Sequence, residues 1–131
     1  MAIKLLALDM DGTVLQNDAV SVSKANLEAI RAAITLGVAG TYCTGRMRHR
    51  LPLALLEGAP EIQYAITSNG AAINDLHTGK VLYSDGFSTE AAGDLVAALS
   101  VFPIPIDAYC GGYNYCEQRT AHYIRAMPIA P

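Results

Sequence analysis

Two aspartates stand one residue apart in the stretch LALDMDGTVL, residues 6–15, where an apolar run ends and a glycine and a threonine follow at once. Carboxylates this close make each other harder to ionise unless a cation or a shared proton relieves them. A hard divalent ion with oxygen ligands, most simply Mg²⁺, is one such relief. One carboxylate of the pair Asp9 and Asp11 can then attack as a nucleophile. The other, kept partly protonated, can serve as general acid and afterwards as base. Gly12 lets the chain turn sharply and present backbone N–H groups to an anion. Taken by itself, Asp-x-Asp-Gly fits equally well a strand that ends in an Asx turn.

Two further polar clusters also end apolar runs: Thr44-Gly45-Arg46 after VAGTYC, and Ser68-Asn69-Gly70 after QYAIT. Ligands of a parallel α/β sheet bind beyond the carboxyl ends of its strands, so such a fold would gather all three clusters at one edge. The elements that must position them are legible. IKLLALD is a nearly continuous apolar run, as in a strand covered on both faces. Residues 16–22 form a polar loop, and Ser23 is placed to cap a helix with Leu27, Ile30 and Ile34 on one face and Gly37 as its stop. The order strand, helix, strand makes the first two strands parallel. A helix is expected over much of 47–57, with Pro52 suiting a first turn and disrupting an interior. AAIND and VLYSD read as a hairpin turning at Thr78-Gly79. Ser88 caps a helix carrying Leu95, Val96 and Leu99; IPIDAY and YNYCE read as strands, and RTAHYIRAM as a short helix. Residues 1–85 are therefore expected to be an α/β unit with a hairpin, and 86–131 a separate α+β layer.

Composition narrows the function. With 131 residues, 52% apolar and 16% charged, the chain can bury a core, as one modest domain or a domain plus part of another. No apolar run could span a bilayer, and MAIKLLALDMD meets acid too early for a signal peptide. A net charge of -3 without a basic stripe argues against nucleic acid as a partner. Cys43, Cys110 and Cys116 lack metal-type spacing and read as reduced thiols of a cytoplasmic protein. Arg46, Arg48, His49 and Arg50 form either a solvated helix face or, through Arg46, an attraction for phosphate. His49, His77 and His122 read as surface or packing residues, and Tyr109, Tyr113 and Tyr115 as core or rim of the second layer.

DMDGT, TYCTGR and TSNGA, in that order after three successive strands, resemble the haloacid dehalogenase superfamily. Within it the chain is similar to the Cof-type phosphatases, whose α/β cap is inserted after the third core strand. The resemblance runs from Met1 to about Tyr83, and the later residues fit the beginning of a cap. It implies a Rossmann-like α/β core, of which 1–85 is the N-terminal part, followed by part of an α+β cap in 86–131. It implies that Asp9 is the nucleophile that forms an aspartyl-phosphate and that Asp11 is the acid/base. It assigns Mg²⁺ to the Asp9 carboxylate and the Asp11 main-chain carbonyl. Thr44 matches the hydroxyl that binds the transferring phosphoryl group, and Gly12 and Arg46 stand beside it. Ser68 and Asn69 either touch the substrate or hold the nucleophile loop. The implied activity is hydrolysis of small phosphorylated metabolites such as sugar phosphates. A phosphomutase similar to phosphomannomutase and a non-catalytic phosphate-binding module are the alternatives.

The resemblance is incomplete. The family's phosphate-steadying lysine has no match: Lys4 and Lys24 precede the second motif, and Lys80 lies in the hairpin turn. After Asp107 the only acid is Glu117, so the paired acidic loop that completes the metal site is missing. The chain is therefore expected to be the N-terminal portion of such an enzyme, inactive alone, with an apolar sheet edge open to a second copy.

Overall fold

A computed structural model of the chain describes residues 3–110 and 113–116. The helix expected at 119–127, with His122, lies outside the described residues. The chain divides into two compact units between Asp85 and Gly86.

In the first unit β1 (Leu5–Asp9) leads through a turn and a loop to α1 (Lys24–Thr35), then β2 (Ala39–Cys43), α2 (Leu53–Gly58) and β3 (Tyr64–Thr67). The hairpin β4 (Ala72–Asp75) and β5 (Val81–Ser84) follows. These form one five-stranded sheet in the order β1-β2-β3-β4-β5. β1 pairs parallel with β2 and β2 parallel with β3, whereas β4 and β5 run antiparallel. The local signals explain the elements. The Ser23 hydroxyl accepts the Asn26 N–H at 3.1 Å and starts α1. Gly37, at φ 83°, ends it by donating its N–H to the Ile34 carbonyl at 2.9 Å.

One face of the sheet carries the core. Tyr42 and Ala65 from the strands meet Ile30 of α1 and Leu55 of α2, with Met10, Val14, Leu15, Leu51, Ala59 and Ile62 around them. Tyr42 is fully buried, and its hydroxyl donates to the Leu55 carbonyl at 3.1 Å. Burial, with the Glu61 charge second, pushes that hydroxyl up to about 12.

Two expectations are corrected. The helix sought over 47–57 is broken: a single turn at Arg48–Arg50 precedes Pro52, and α2 begins only after it. Proline's fixed φ suits the start of a helix and its missing N–H cannot continue one. The first strand, expected to be covered on both faces, alternates instead. Leu5, Ala7 and Asp9 are exposed, and Leu6 and Leu8 half-buried. It is also the terminal strand of the sheet among the described residues, with Leu5 59% exposed.

The second unit contains α3 (Thr89–Leu99), capped by the Ser88 hydroxyl, and a two-stranded antiparallel sheet of β6 (Asp107–Cys110) and β7 (Tyr113–Cys116). Leu95, Val96 and Leu99 lie on α3 but are each partly exposed, and Tyr109, Tyr113 and Tyr115 are exposed.

The hairpin of the first unit hangs on one carboxylate. Asp75 Oδ1 accepts the N–H groups of His77 at 2.9 Å and Thr78 at 3.0 Å, and Oδ2 accepts Gln63 Nε2 at 3.1 Å. The Thr78 N–H, ahead of the opposing effect of burial and the help of Gln63, holds this carboxyl below its ordinary 3.8. A value lower in the folded than in the unfolded chain gives stability that is complete above about pH 5 and is lost as pH falls through the folded value. Asp75→Asn is therefore expected to lower the urea midpoint at neutral pH and to flatten its fall below about pH 4. Parallel midpoint curves for variant and wild type would show that Asp75 is not the responsible group.

Candidate active site

Asp9 is the last residue of β1, and the chain beyond it makes a wide turn over Met10–Val14. The turn closes when Leu15 N–H donates to the Met10 carbonyl at 3.0 Å. Met10, Val14 and Leu15 are buried in the core, so the intervening Asp11, Gly12 and Thr13 are held outward. Gly12 adopts φ 76°, a conformation glycine enters without the steric cost a side chain carries. Asn26, from the first turn of α1, donates to the Val14 carbonyl at 3.1 Å and fixes the exit of the turn.

The two other clusters dock against each other beside it. Thr44 N–H donates to the Ile66 carbonyl at 3.0 Å, Asn69 N–H to the Thr44 carbonyl at 3.2 Å, and Ser68 N–H to the Arg46 carbonyl at 2.9 Å. Ser68, Asn69 and Gly70 all take positive φ, at 52°, 56° and 98°. For Ser68 this conformation is uncommon, and the cross-loop bonds are what hold it. Beneath them the buried Asn74 amide donates to Thr67 Oγ1 at 2.8 Å. Thr44 is buried, and its hydroxyl accepts the Arg46 N–H at 3.1 Å, a bond that does not use its own proton.

The carboxylates are relieved separately. Asp9 Oδ2 accepts the Thr13 hydroxyl at 2.7 Å. Asp11 is forked by Arg46, whose Nε reaches Oδ2 at 2.9 Å and whose Nη2 reaches Oδ1 at 2.6 Å. The same guanidinium donates to the carbonyls of Ala19 at 2.8 Å and Arg50 at 3.3 Å. Cys43 is the register partner of Asp9. Burial first and the Asp9 charge second push its thiol up, so it stays protonated and is a poor rival nucleophile.

Among the described residues no three His, Cys, Asp or Glu side chains gather as a metal cluster. Asp9 keeps one carboxylate oxygen outside the Thr13 bond, and the main-chain oxygen of Asp11 is nearby in the chain. Such hard oxygens suit Mg²⁺, which commonly takes one or two protein carboxylates and completes its shell with water and substrate phosphate.

Asp11, Gly12, Thr44, Arg46, Ser68 and Asn69 thus fall with Asp9 at one edge of the β1-β2-β3 layer, linked by the bonds above. Arg46, expected beside the phosphoryl site, forks the Asp11 carboxylate. The rest of the basic cluster does not join in through side chains. Arg48, His49 and Arg50 are exposed, and only the Arg50 carbonyl takes part. His77 sits at the hairpin, its Nε2 2.8 Å from the Pro60 carbonyl. Sequence reasoning missed Thr13 and Asn26; a hydroxyl four residues after Asp9 was the only available signal for the former.

Gly45 marks where the two loops meet. A Cβ at this position would lie 2.8 Å from Asn69 Oδ1, closer than real contacts allow. Because the obstructing atom ends a side chain that can turn aside, Gly45→Ala is expected to cost about 1 kcal/mol, the low end of overpacking, in urea unfolding. Adding Asn69→Gly, which removes the obstructing amide, is expected to recover part of that loss. Strictly additive costs would mean the two residues do not touch.

With this geometry in hand, comparison with known proteins gives a consistent answer. A sequence profile described as haloacid dehalogenase-like hydrolase matches residues 6–128. The 5-amino-6-(5-phospho-D-ribitylamino)uracil phosphatase YwtE of Bacillus subtilis (strain 168) is 38% identical over 94 residues, covering 72% of this chain and 31% of its own. A haloacid dehalogenase-like hydrolase from B. subtilis superposes with a TM-score of 0.73 at 24% identity, over 95% of this chain and 42% of that one. The HAD subclass IIB sugar phosphatase BT4131 gives 0.75 at 21% identity, over 94% and 48%. The chain spans about a third of the length of YwtE and corresponds to the N-terminal part of these proteins. It belongs to the haloacid dehalogenase-like hydrolase family.

Proposed function

We propose that this chain carries the nucleophile, the acid/base and part of the phosphate site of a phosphoric monoester hydrolase. The observation behind the reading is the gathering of Asp9, Asp11 and Thr44 at one sheet edge, each separately held by a neighbour. A free Asp9 oxygen attacks phosphorus as the ester P–O bond breaks, and the leaving alkoxide takes a proton from Asp11. Water then attacks the phosphorus of the aspartyl-phosphate and gives a proton to Asp11. The bond to Asp9 breaks, releasing phosphate and restoring the carboxylate. Thr44 donates its hydroxyl proton to a phosphoryl oxygen, and the turn at Gly12 offers backbone N–H groups to the same anion. The Asp9 carboxylate and Asp11 carbonyl would hold Mg²⁺, which supplies charge neutralisation for the transferring group. Asp11 as acid/base suits hydrolysis, in which a water must be deprotonated.

YwtE acts on a phosphoribitylamino compound and BT4131 is a sugar phosphatase. We extend the substrate class, a small sugar or polyol phosphate, to the complete gene product containing this chain. The free cysteines Cys43 and Cys110 suit a reducing cytoplasm.

Asp9→Asn in the complete gene product is expected to fold normally and to lower turnover of p-nitrophenyl phosphate by about 10³-fold or more, since the amide cannot attack phosphorus. Activity within tenfold of wild type would defeat the assignment. Thr44→Ala is expected to be milder, about 10–100-fold, as for one hydrogen bond to a charged group, with Thr44→Ser close to wild type.

Residues 1–131 alone are expected to hydrolyse p-nitrophenyl phosphate at least about 10²-fold more slowly than a full-length relative, because several preorganised charge-stabilising groups are missing together. Comparable turnover would show that the chain needs nothing further.

A further inference from the structure

The fork between Arg46 and Asp11 joins residues 35 positions apart in the chain. Two of the Arg46 N–H groups are on Asp11, one on the Ala19 carbonyl and one on the Arg50 carbonyl. Of the five donors a guanidinium owns, one remains for anything else. A residue meant to grip a phosphoryl group would keep a forked pair of donors free for it.

The Arg46 side chain is 23% exposed and that of Asp11 51%, so the fork is only partly screened by water and adds some stability. The fork also fixes direction: both Asp11 oxygens are tied in one plane, and each keeps a second lone pair for a proton in transit. The anchor itself is built. Ala19 takes φ 58°, rare for a residue with a side chain, and this turns its carbonyl to Arg46. Asp18 holds that loop by accepting the N–H groups of Val20 at 3.0 Å and Ser21 at 2.8 Å.

The geometry points to Arg46 as a positioning residue that acts on catalysis through Asp11, with the 16–21 loop as its anchor, and not as a ligand of the phosphoryl group. This rests on the reading of Asp11 as acid/base given above. Its consequence is that the damage from losing Arg46 follows the need of the leaving group for a proton.

The test compares kcat/KM, which reports transfer to Asp9, on p-nitrophenyl phosphate and on β-glycerophosphate, using the complete gene product. Asp11→Asn serves as reference. Arg46→Met is expected to lose about 10²-fold on β-glycerophosphate, within the range of general acid catalysis, and less than about tenfold on p-nitrophenyl phosphate. Arg46→Lys, which keeps the charge and loses the fork, is expected to show the same asymmetry in smaller degree, and guards against a misfolded Met variant. The inhibition constant of inorganic phosphate is expected to stay within about threefold, and Arg46→Met added to Asp11→Asn to cost little more, as for residues that act as a unit. Equal losses on both esters with phosphate inhibition weakened tenfold or more would overturn the proposal and make Arg46 a phosphate ligand. If Asp11→Asn itself shows no asymmetry, the acid/base reading fails, and this inference with it. If Asp11→Asn shows it and both Arg46 variants do not, only the inference fails.

Discussion

The in-register parallel pairing of three short strands is the constraint from which the site follows. Asp9 lies opposite Cys43, and Cys43 opposite Ile66. Parallel strands in register bring their carboxyl ends to one edge, so the residues that come next in each chain segment are neighbours without further instruction. The core secures this from the other side. Tyr42 and Ala65 sit under α1 and α2, and a slip of one residue would turn both out of the apolar layer. The turn after Asp9 is held by the same core through Met10, Val14 and Leu15, which leaves its polar residues facing water.

Electrostatics completes what topology begins. Two carboxylates two residues apart would repel, yet they have different surroundings. Asp9 has a neutral hydroxyl at 2.7 Å and Asp11 a guanidinium fork. Unlike surroundings are what the proposed division of roles, one carboxylate attacking and one moving protons, calls for. The second and third loops add a buried hydroxyl and a run of left-handed residues locked by cross-loop bonds. The left-handed residues Ser68 and Asn69 lie at the same sheet edge as Asp9 and Thr44.

Much of this was legible from the residues in order. Ser23 and Gly37 bracket α1 because caps are local chemistry, and the turn at Thr78-Gly79 follows from glycine at φ 74°. The meeting of Asp9, Thr44 and Ser68 was legible too, since strand order decides it. What sequence could not carry was tertiary direction. Arg46 reads in the sequence as an attraction for phosphate, while its bond to Asp11, 35 residues away, depends on how two turns face each other. The Thr13 bond to Asp9 needed the wide turn, which no propensity announces. Pro52 left the start of the 47–57 helix open, and in the structure α2 begins directly after it. The apolar character of β1 suggested cover on both faces, whereas Leu5, Ala7 and Asp9 are exposed among the described residues. Burial depends on what packs against a strand as well as on its composition.

The account turns on Asp9 accepting the phosphoryl group. The complete gene product would be mixed with Mg²⁺ and p-nitrophenyl phosphate, acid-quenched in the steady state, and reduced with borohydride, which converts an aspartyl-phosphate to homoserine. The peptide covering residues 5–24 would then be sequenced by mass spectrometry. Homoserine at position 9, dependent on substrate, is the result this account predicts. Homoserine at position 11, or phosphate release with no reduced aspartate in a sample where the intermediate is trapped for a full-length relative, would contradict it.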